Sequence, residues 1–335
     1  MSRLINVFLI LTLVFTKAAA AAPYEWKTGK DGNFYWYEEG KKQGAIGDPQ
    51  NLRDEETGIE RGREIYDPDS DAWYWLDAQF KGARAAGKEV WMPYIYQSDY
   101  ALGINQDGKW VRYDEDGQMV KGWYRDADGN KYYYDLTTGA MYKGEKEVDG
   151  VTYFFDTVNG VCLAKVTRAV RTARKTIAAE AKAIALDDSH GYTMEPGKNR
   201  GPVDFDCSGL VHWCIDEAGI EHRWYGGTAD EKECLTRYGF VWMEDFSQLK
   251  VGDILLKKGH TAIYCGDGYV AEALHNEWYG YEPVGCEVDE DEDCYHDWYM
   301  YGEPGDQTGT EIVYHKRSQG NMESNFWGFL RYIGN

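Results

Sequence analysis

The spacing of apolar and polar residues changes rhythm twice along the chain. A continuous apolar stretch, Leu4 to Phe15, follows the positively charged Arg3 and leads into the small residues Ala18 to Ala22. From Tyr24 to Ala164 the apolar positions are short aromatic runs set between Asp-Gly and lone glycine turns. Three units are closely alike: DGKWVRYDEDGQM from Asp107, DGNKYYYDLTTGAM from Asp128 and DGVTYFFDTVNGVC from Asp149. Their leading glycines, Gly108, Gly129 and Gly150, fall 21 residues apart, and each unit carries an Asp (Asp114, Asp135, Asp156) before a second turn glycine (Gly117, Gly139, Gly160). That grammar predicts a β-hairpin per unit. DGNFYWYEEG from Asp31 and DAWYWLDAQFKG from Asp71 read as more divergent units of the same kind.

After Cys162 the texture changes. Val166, Val170, Ala173, Ile177, Ala181 and Ile184 recur at helical spacing, with Arg168, Arg171, Arg174 and Lys175 between them, which predicts an amphipathic helix. A second helix is predicted in DFDCSGLVHWCIDEAG, with Asp206 as N-cap, Leu210, Val211, Cys214 and Ala218 on its buried face and Gly219 as its stop. Farther on, His260 to Cys265 and Tyr269 to Ala273 read as two strands joined through Gly266, Asp267 and Gly268. The expected organisation is therefore a signal peptide over 1–22, aromatic hairpin repeats over 23–164 and an α+β domain over 165–335. Single hairpins are marginal alone, so the repeats must stack, as in a solenoid.

Composition narrows the function. The Arg3 start, the apolar run and the alanine-rich end form an export signal too short to span a bilayer, so the expected product is secreted or wall-associated, with no membrane span once the signal is removed. The net charge of −21 argues against nucleic acid, which is gripped by cationic side chains. Aromatic residues make up 15% of the chain, carried by 13 Trp and 27 Tyr, and such rings can stack on a ligand. Grooves between stacked hairpins would be walled by Trp110, Tyr113, Trp123, Tyr124, Tyr132, Tyr134, Tyr153 and Phe155, surfaces suited to a sugar face or a quaternary ammonium group. The acidic run from Glu287 to Asp293 reads as a solvated loop.

All seven cysteines lie between Cys162 and Cys294. An odd number in an exported chain leaves an intermolecular bridge or a free thiol, and the context singles out Cys207. It would stand in the first turn of the second helix, where unpaired N–H groups and the helix dipole favour a thiolate and can later hold an oxyanion. His260 is the candidate base. With a three-residue hairpin loop Glu272 sits opposite Ala262, on the face of His260, and can orient the imidazole; with a two-residue turn it would point away. His212 and Cys214 do not match a zinc spacing, and no metal or cofactor is expected.

The repeats resemble the glucan-binding and choline-binding wall repeats of bacterial surface proteins, which implies a wall polysaccharide or choline-bearing polymer as partner. The blocks D-C-S-G, G-D-I-L, G-H-T-A-I-Y and G-D-G resemble the NlpC-type family of papain-like bacterial wall peptidases over most of residues 170–335. That resemblance implies a papain-like α+β fold, with Cys207 as nucleophile and His260 as base. The third polar residue, usually His in the family, falls on Glu272, and Tyr192, Asp206 and Ser208 fall beside the substrate. The expected function is hydrolysis of an amide in the stem peptide of peptidoglycan, favouring the D-glutamyl to diamino-acid bond. Alternatives are a muramoyl-L-alanine amidase, a non-catalytic adhesin or an acyl transferase on the same fold.

Overall fold

The computed structural model describes residues 23–54, 57–93, 108–187, 189–274 and 311–334. The segments read as an export signal and as an acidic loop lie outside them, as do His275, Asn276 and Trp278. Two compact units emerge, Met1–Tyr124 with Tyr133–Met141 and Arg125–Tyr132 with Tyr142–Asn335. The change of texture read at Ala164 thus falls inside the second unit.

In the first unit the divergent segments do not form separate repeats. Tyr24–Thr28 and Phe34–Glu38 make a hairpin, Glu60–Asp67 and Ala72–Asp77 make another, and both join one seven-stranded sheet through the short strand Ala83–Arg84. Next, Lys88–Pro93 pairs with Gly108–Tyr113 in a register that sets Trp91 opposite Trp110. The regular repeats follow as the two-stranded hairpin Gly122–Arg125 with Lys131–Tyr134 and, within the second unit, the three-stranded Gly144–Val148, Val151–Phe155 and Cys162–Lys165.

Turn chemistry explains the repeat spacing. Asp114 accepts a hydrogen bond from the Gln118 N–H at 2.8 Å, Asp135 from Thr138 N–H at 2.8 Å and Asp156 from Val158 N–H at 2.8 Å, each a side chain closing its own turn. Gly139 has φ 67°, and a Cβ there would lie 2.4 Å from Met119 Sδ, so both backbone and packing demand glycine.

The second unit is built on a six-stranded antiparallel sheet: β1 (Phe240–Met243), β2 (Ile254–Lys257), β3 (His260–Gly266), β4 (Tyr269–Ala273), β5 (Ile312–Lys316) and β6 (Gly328–Tyr332), in the order β1-β6-β2-β3-β4-β5. Its faces follow the period-two rule. Ile254, Ile263, Ala271 and Leu330 face the expected helices, α1 (Arg168–Ala185, capped by Thr167) and α2 (Cys207–Glu217). The alternate positions Leu255, Ala262, Val270 and Phe329 meet Phe154, Phe246, Met322 and Phe326 on the other side. Phe154 ties the last repeat to this core. Within it, the fully buried Arg331 and Asp253 pair through Nε to Oδ1 at 2.9 Å and Nη2 to Oδ2 at 2.6 Å.

Candidate functional site

The second helix begins where the sequence places it. Asp206 is the N-cap, its carboxylate taking the Gly209 N–H at 2.5 Å and the Ser208 hydroxyl at 2.7 Å, while Asn199 binds its other oxygen. The glycine of the D-C-S-G block has a steric reason: a Cβ on Gly209 would stand 1.8 Å from the Asn199 carbonyl oxygen. Upstream, Tyr192 is brought alongside by a short parallel bridge that pairs it with Phe205, two residues before Cys207.

Cys207 occupies the first helical position, 9% exposed, with its sulfur against the start of β3. The Gly259 carbonyl oxygen is 4.0 Å from Sγ, and the backbone N–H groups of Thr261 and Ser208 point at the sulfur. The residues flanking His260 on both sides therefore touch the sulfur. Burial, reinforced by the Asp206 and Glu231 carboxylates, pushes the thiol up to about 12 against those two N–H groups. Desolvation thus works against the thiolate that the helix start favours.

The hairpin gives Glu272 its orientation by a route the sequence did not disclose. Asp267 (φ 52°) and Gly268 (φ 80°) form a two-residue tip, the left-handed pair of a type I′ turn. Ile263 pairs with Ala271 and Tyr264 with Val270, but Gly266 with Tyr269, so Cys265 is an extra, bulged residue. The bulge restores the register of a three-residue loop and returns Glu272 to the His260 face. There Glu272 Oε2 lies 2.7 Å from His260 Nε2. With Nε2 engaged, Nδ1, the ring nitrogen nearer the strand backbone on which the sulfur rests, is left to exchange a proton.

Two partners of Glu272 come from β5 and the residue that follows it. His315 and Arg317 share the face of Val313, which is opposite Glu272 in the ladder. His315 Nε2 bonds Oε1, and Arg317 donates to the same oxygen through Nε at 2.9 Å and Nη2 at 2.6 Å. Burial alone would raise the Glu272 carboxyl, but the hydrogen bonds from His260, Arg317 and His315 overcome it and bring it down to about 2. His315, which the sequence pattern does not single out, belongs to this cluster. The clue was its place two residues before an arginine at the end of a strand.

A second acid lies beneath the site. Glu231 is wholly buried, with the Thr261 hydroxyl 2.9 Å from its Oε1, and burial lifts its carboxyl to about 8. Trp224 is fully buried in the helix-side core, whereas Tyr225 is 72% exposed. Among the described residues all five cysteines, Cys162, Cys207, Cys214, Cys234 and Cys265, are free thiols. A cavity of about 450 Å³ bordered by Arg171, Arg174, Lys250 and Asp267 opens at the far end of β3 from His260.

The repeat rings divide into core and surface. Tyr113, Tyr134 and Phe155 hold the same repeat position and are all 0% exposed, so they are core residues and not groove walls as expected. Tyr113 donates to Glu64 at 2.6 Å and Tyr134 to Glu89 at 3.2 Å, which satisfies their buried hydroxyls. Trp110, Trp123, Tyr124, Tyr132 and Tyr153 keep partial exposure. Trp123 meets Tyr133 edge-on at 5.2 Å, and Trp91 tilts against Trp110 at 5.5 Å. Several rings already carry the chain's own cations: Lys42 over Tyr35 at 3.6 Å, Arg84 over Phe34 at 4.4 Å and Arg112 over Tyr124 at 4.5 Å.

Comparison with known proteins bears on the repeats. No curated protein matches the chain. Among solved structures it is similar to choline binding protein F from Streptococcus pneumoniae (20% identity, 39% of this chain and 42% of that one, TM-score 0.23). It is also similar to the modular autolysin LytC from Streptococcus pneumoniae (22%, 42% and 28%, TM-score 0.24) and to the pneumococcal cell wall endolysin from phage Cp-1 complexed with choline (19%, 34% and 28%, TM-score 0.24). The chain spans less than half the length of each, and TM-scores this low carry no argument about its arrangement. Residues 104–145 match the choline-binding repeat family.

Proposed function

We propose that the chain is an exported peptidoglycan amide hydrolase of the NlpC type, held at the wall by aromatic repeats that bind a choline-bearing or saccharide polymer. The observation that carries the catalytic half is the His260–Glu272 pair at 2.7 Å, on a strand whose first residues abut the Cys207 sulfur. The repeat half rests on the match of residues 104–145 and on the partly exposed rings Trp110 and Trp123.

In this reading the buried thiol is ionised only as the reaction proceeds. His260 Nδ1 takes the Cys207 proton while the sulfur attacks the amide carbonyl carbon, and Glu272, ionised at any physiological pH, stabilises the imidazolium through Nε2. The helix start supplies N–H groups for the tetrahedral oxyanion. His260 then protonates the departing amine as the C–N bond breaks, leaving an acyl thioester on Cys207. Water, deprotonated by His260, attacks the thioester and releases the acid and the thiol. The D-glutamyl to diamino-acid amide is the favoured bond, with the muramoyl to L-alanine amide next.

Digestion of purified peptidoglycan by the full chain, with fragments identified by mass spectrometry, tests this. Cys207→Ala should abolish fragment release while leaving retention on a choline-substituted matrix unchanged; equal release from both proteins would overturn the nucleophile assignment. A wall-binding adhesin is the second reading, favoured by the burial that raises the Cys207 thiol. Absence of fragment release by the parent protein, together with intact matrix retention, would select it.

A further inference from the structure

We propose that His212, Asp216 and His222 form a zinc site at the C-terminal half of α2, separate from the Cys207 chemistry and independent of it. His212 and Asp216 are one turn apart on the helix and project from the same face. The chain then leaves the helix through Gly219 (φ 69°), is anchored by Ile220 N–H to the Ile215 carbonyl at 3.2 Å, and brings His222 back over the same face. As a result Asp216 lies between two imidazoles, its Oδ2 3.2 Å from His212 Nδ1 and its Oδ1 3.0 Å from His222 Nε2. One ligand atom from each residue lies within 4.8 Å of the other two.

The donor set points to a transition metal. Two imidazoles and a carboxylate suit zinc, whereas calcium and magnesium take oxygen ligands. In a tetrahedral zinc site with bonds of about 2.1 Å, ligand atoms stand roughly 3.4 Å apart, near the spacing between each imidazole and the Asp216 oxygen that faces it. The rings of His212 and His222 are already perpendicular, 79° at 4.7 Å, so a small swing closes the third edge. A second observation singles out the same atoms: the His222 side chain is 1% exposed, and its buried Nε2 meets the Asp216 carboxylate at 3.0 Å without the alignment of a hydrogen bond. A cation between the two would satisfy both more fully than this misaligned contact. The Trp224 backbone N–H donates to His222 Nδ1 at 3.2 Å, which keeps the ring proton on Nε2. Zinc at Nε2 moves that proton to Nδ1, where it would oppose the Trp224 N–H, so binding must be accompanied by a turn of the ring or a shift of that N–H. The Asp216 side chain is 55% exposed, leaving the fourth position open to water.

Chelator-stripped full-length Cys207→Ala protein, titrated with Zn2+ by calorimetry and with Co2+ by absorption, tests the site. One equivalent should bind, and the Co2+ spectrum should lack thiolate-to-metal charge transfer. His222→Ala should weaken binding by roughly 100-fold or more, in line with the sensitivity of metal sites to their ligand shells. Asp216→Asn, a change at an exposed carboxylate that leaves the core packing intact, should do the same if His222→Ala fails to fold. Unchanged uptake by a folded variant, no uptake by the parent, or a thiolate charge-transfer band would each overturn the assignment.

Discussion

The repeat hairpins and the six-stranded sheet solve the burial of polar groups in opposite ways. In the hairpins the turn aspartates serve their own turns: Asp135 bonds Thr138, and Asp156 bonds Val158 and Asn159. In the sheet the carboxylates reach across the chain, Asp253 to Arg331 and Glu272 to His260, His315 and Arg317. Local bonds are regained wherever the turn reforms, so a repeat can be lost or altered with small consequence. Long-range bonds between buried charges exist only in the finished fold, and removal of one partner strands the other away from water.

The largest expected effect follows from that asymmetry. Asp253→Ala leaves the Arg331 guanidinium buried and unpaired, and urea unfolding of the sheet unit should show a loss of about 3 to 5 kcal/mol, with retention on the choline matrix preserved. Equal loss of matrix retention would erase the contrast. Glu272→Gln comes next. The carboxyl is depressed in the fold, from 4.5 to about 2, so its contribution is complete above pH 4.5 and fades as the pH falls toward 2. The substitution should cost roughly 2 to 3 kcal/mol at pH 7 and flatten the acid limb of the stability curve.

Glu231 runs the other way and sharpens the comparison. Its carboxyl is raised in the fold, from 4.5 to about 8, so the fold is favoured fully below pH 4.5 and loses stability as pH climbs through 8. Glu231→Gln should therefore stabilise the protein by roughly 1 to 2 kcal/mol at pH 7 and remove that decline, measured by thermal unfolding across pH. The smallest effect belongs to the repeats: Asp135→Ala removes one turn-closing side chain and should cost about 1 kcal/mol or less.

Much of this was legible in the chain because its signals are short-range. The Asp-Gly grammar marked the hairpins, and Asp206 marked the start of α2 together with Cys207 in its first turn. Tyr113, Tyr134 and Phe155 were misread as groove walls although their common repeat phase, immediately before Asp114, Asp135 and Asp156, offered the signal that one buried slot recurs. His315 and Arg317 lie more than forty positions beyond Glu272, and only the β4–β5 ladder brings them together. His222 was hidden for a related reason: helical spacing ends at Gly219, and nothing in the pattern says that the next segment doubles back. The Cys207 thiol illustrates a different limit, since the dipole of a helix start can be read from a cap residue while desolvation depends on what covers it.

The extra residue at Cys265 gives the hairpin slack. Without it Tyr264 would still oppose Val270 and Gly266 would still oppose Tyr269, so a one-residue deletion here should be absorbed and Glu272 should keep its place on the His260 face. Flattening the bulge at unchanged length would instead slide the strands by one position and set Ala273 opposite Ala262, exchanging an acid for an alanine beside the imidazole. Shortening this tip should therefore be forgiven where straightening it is not.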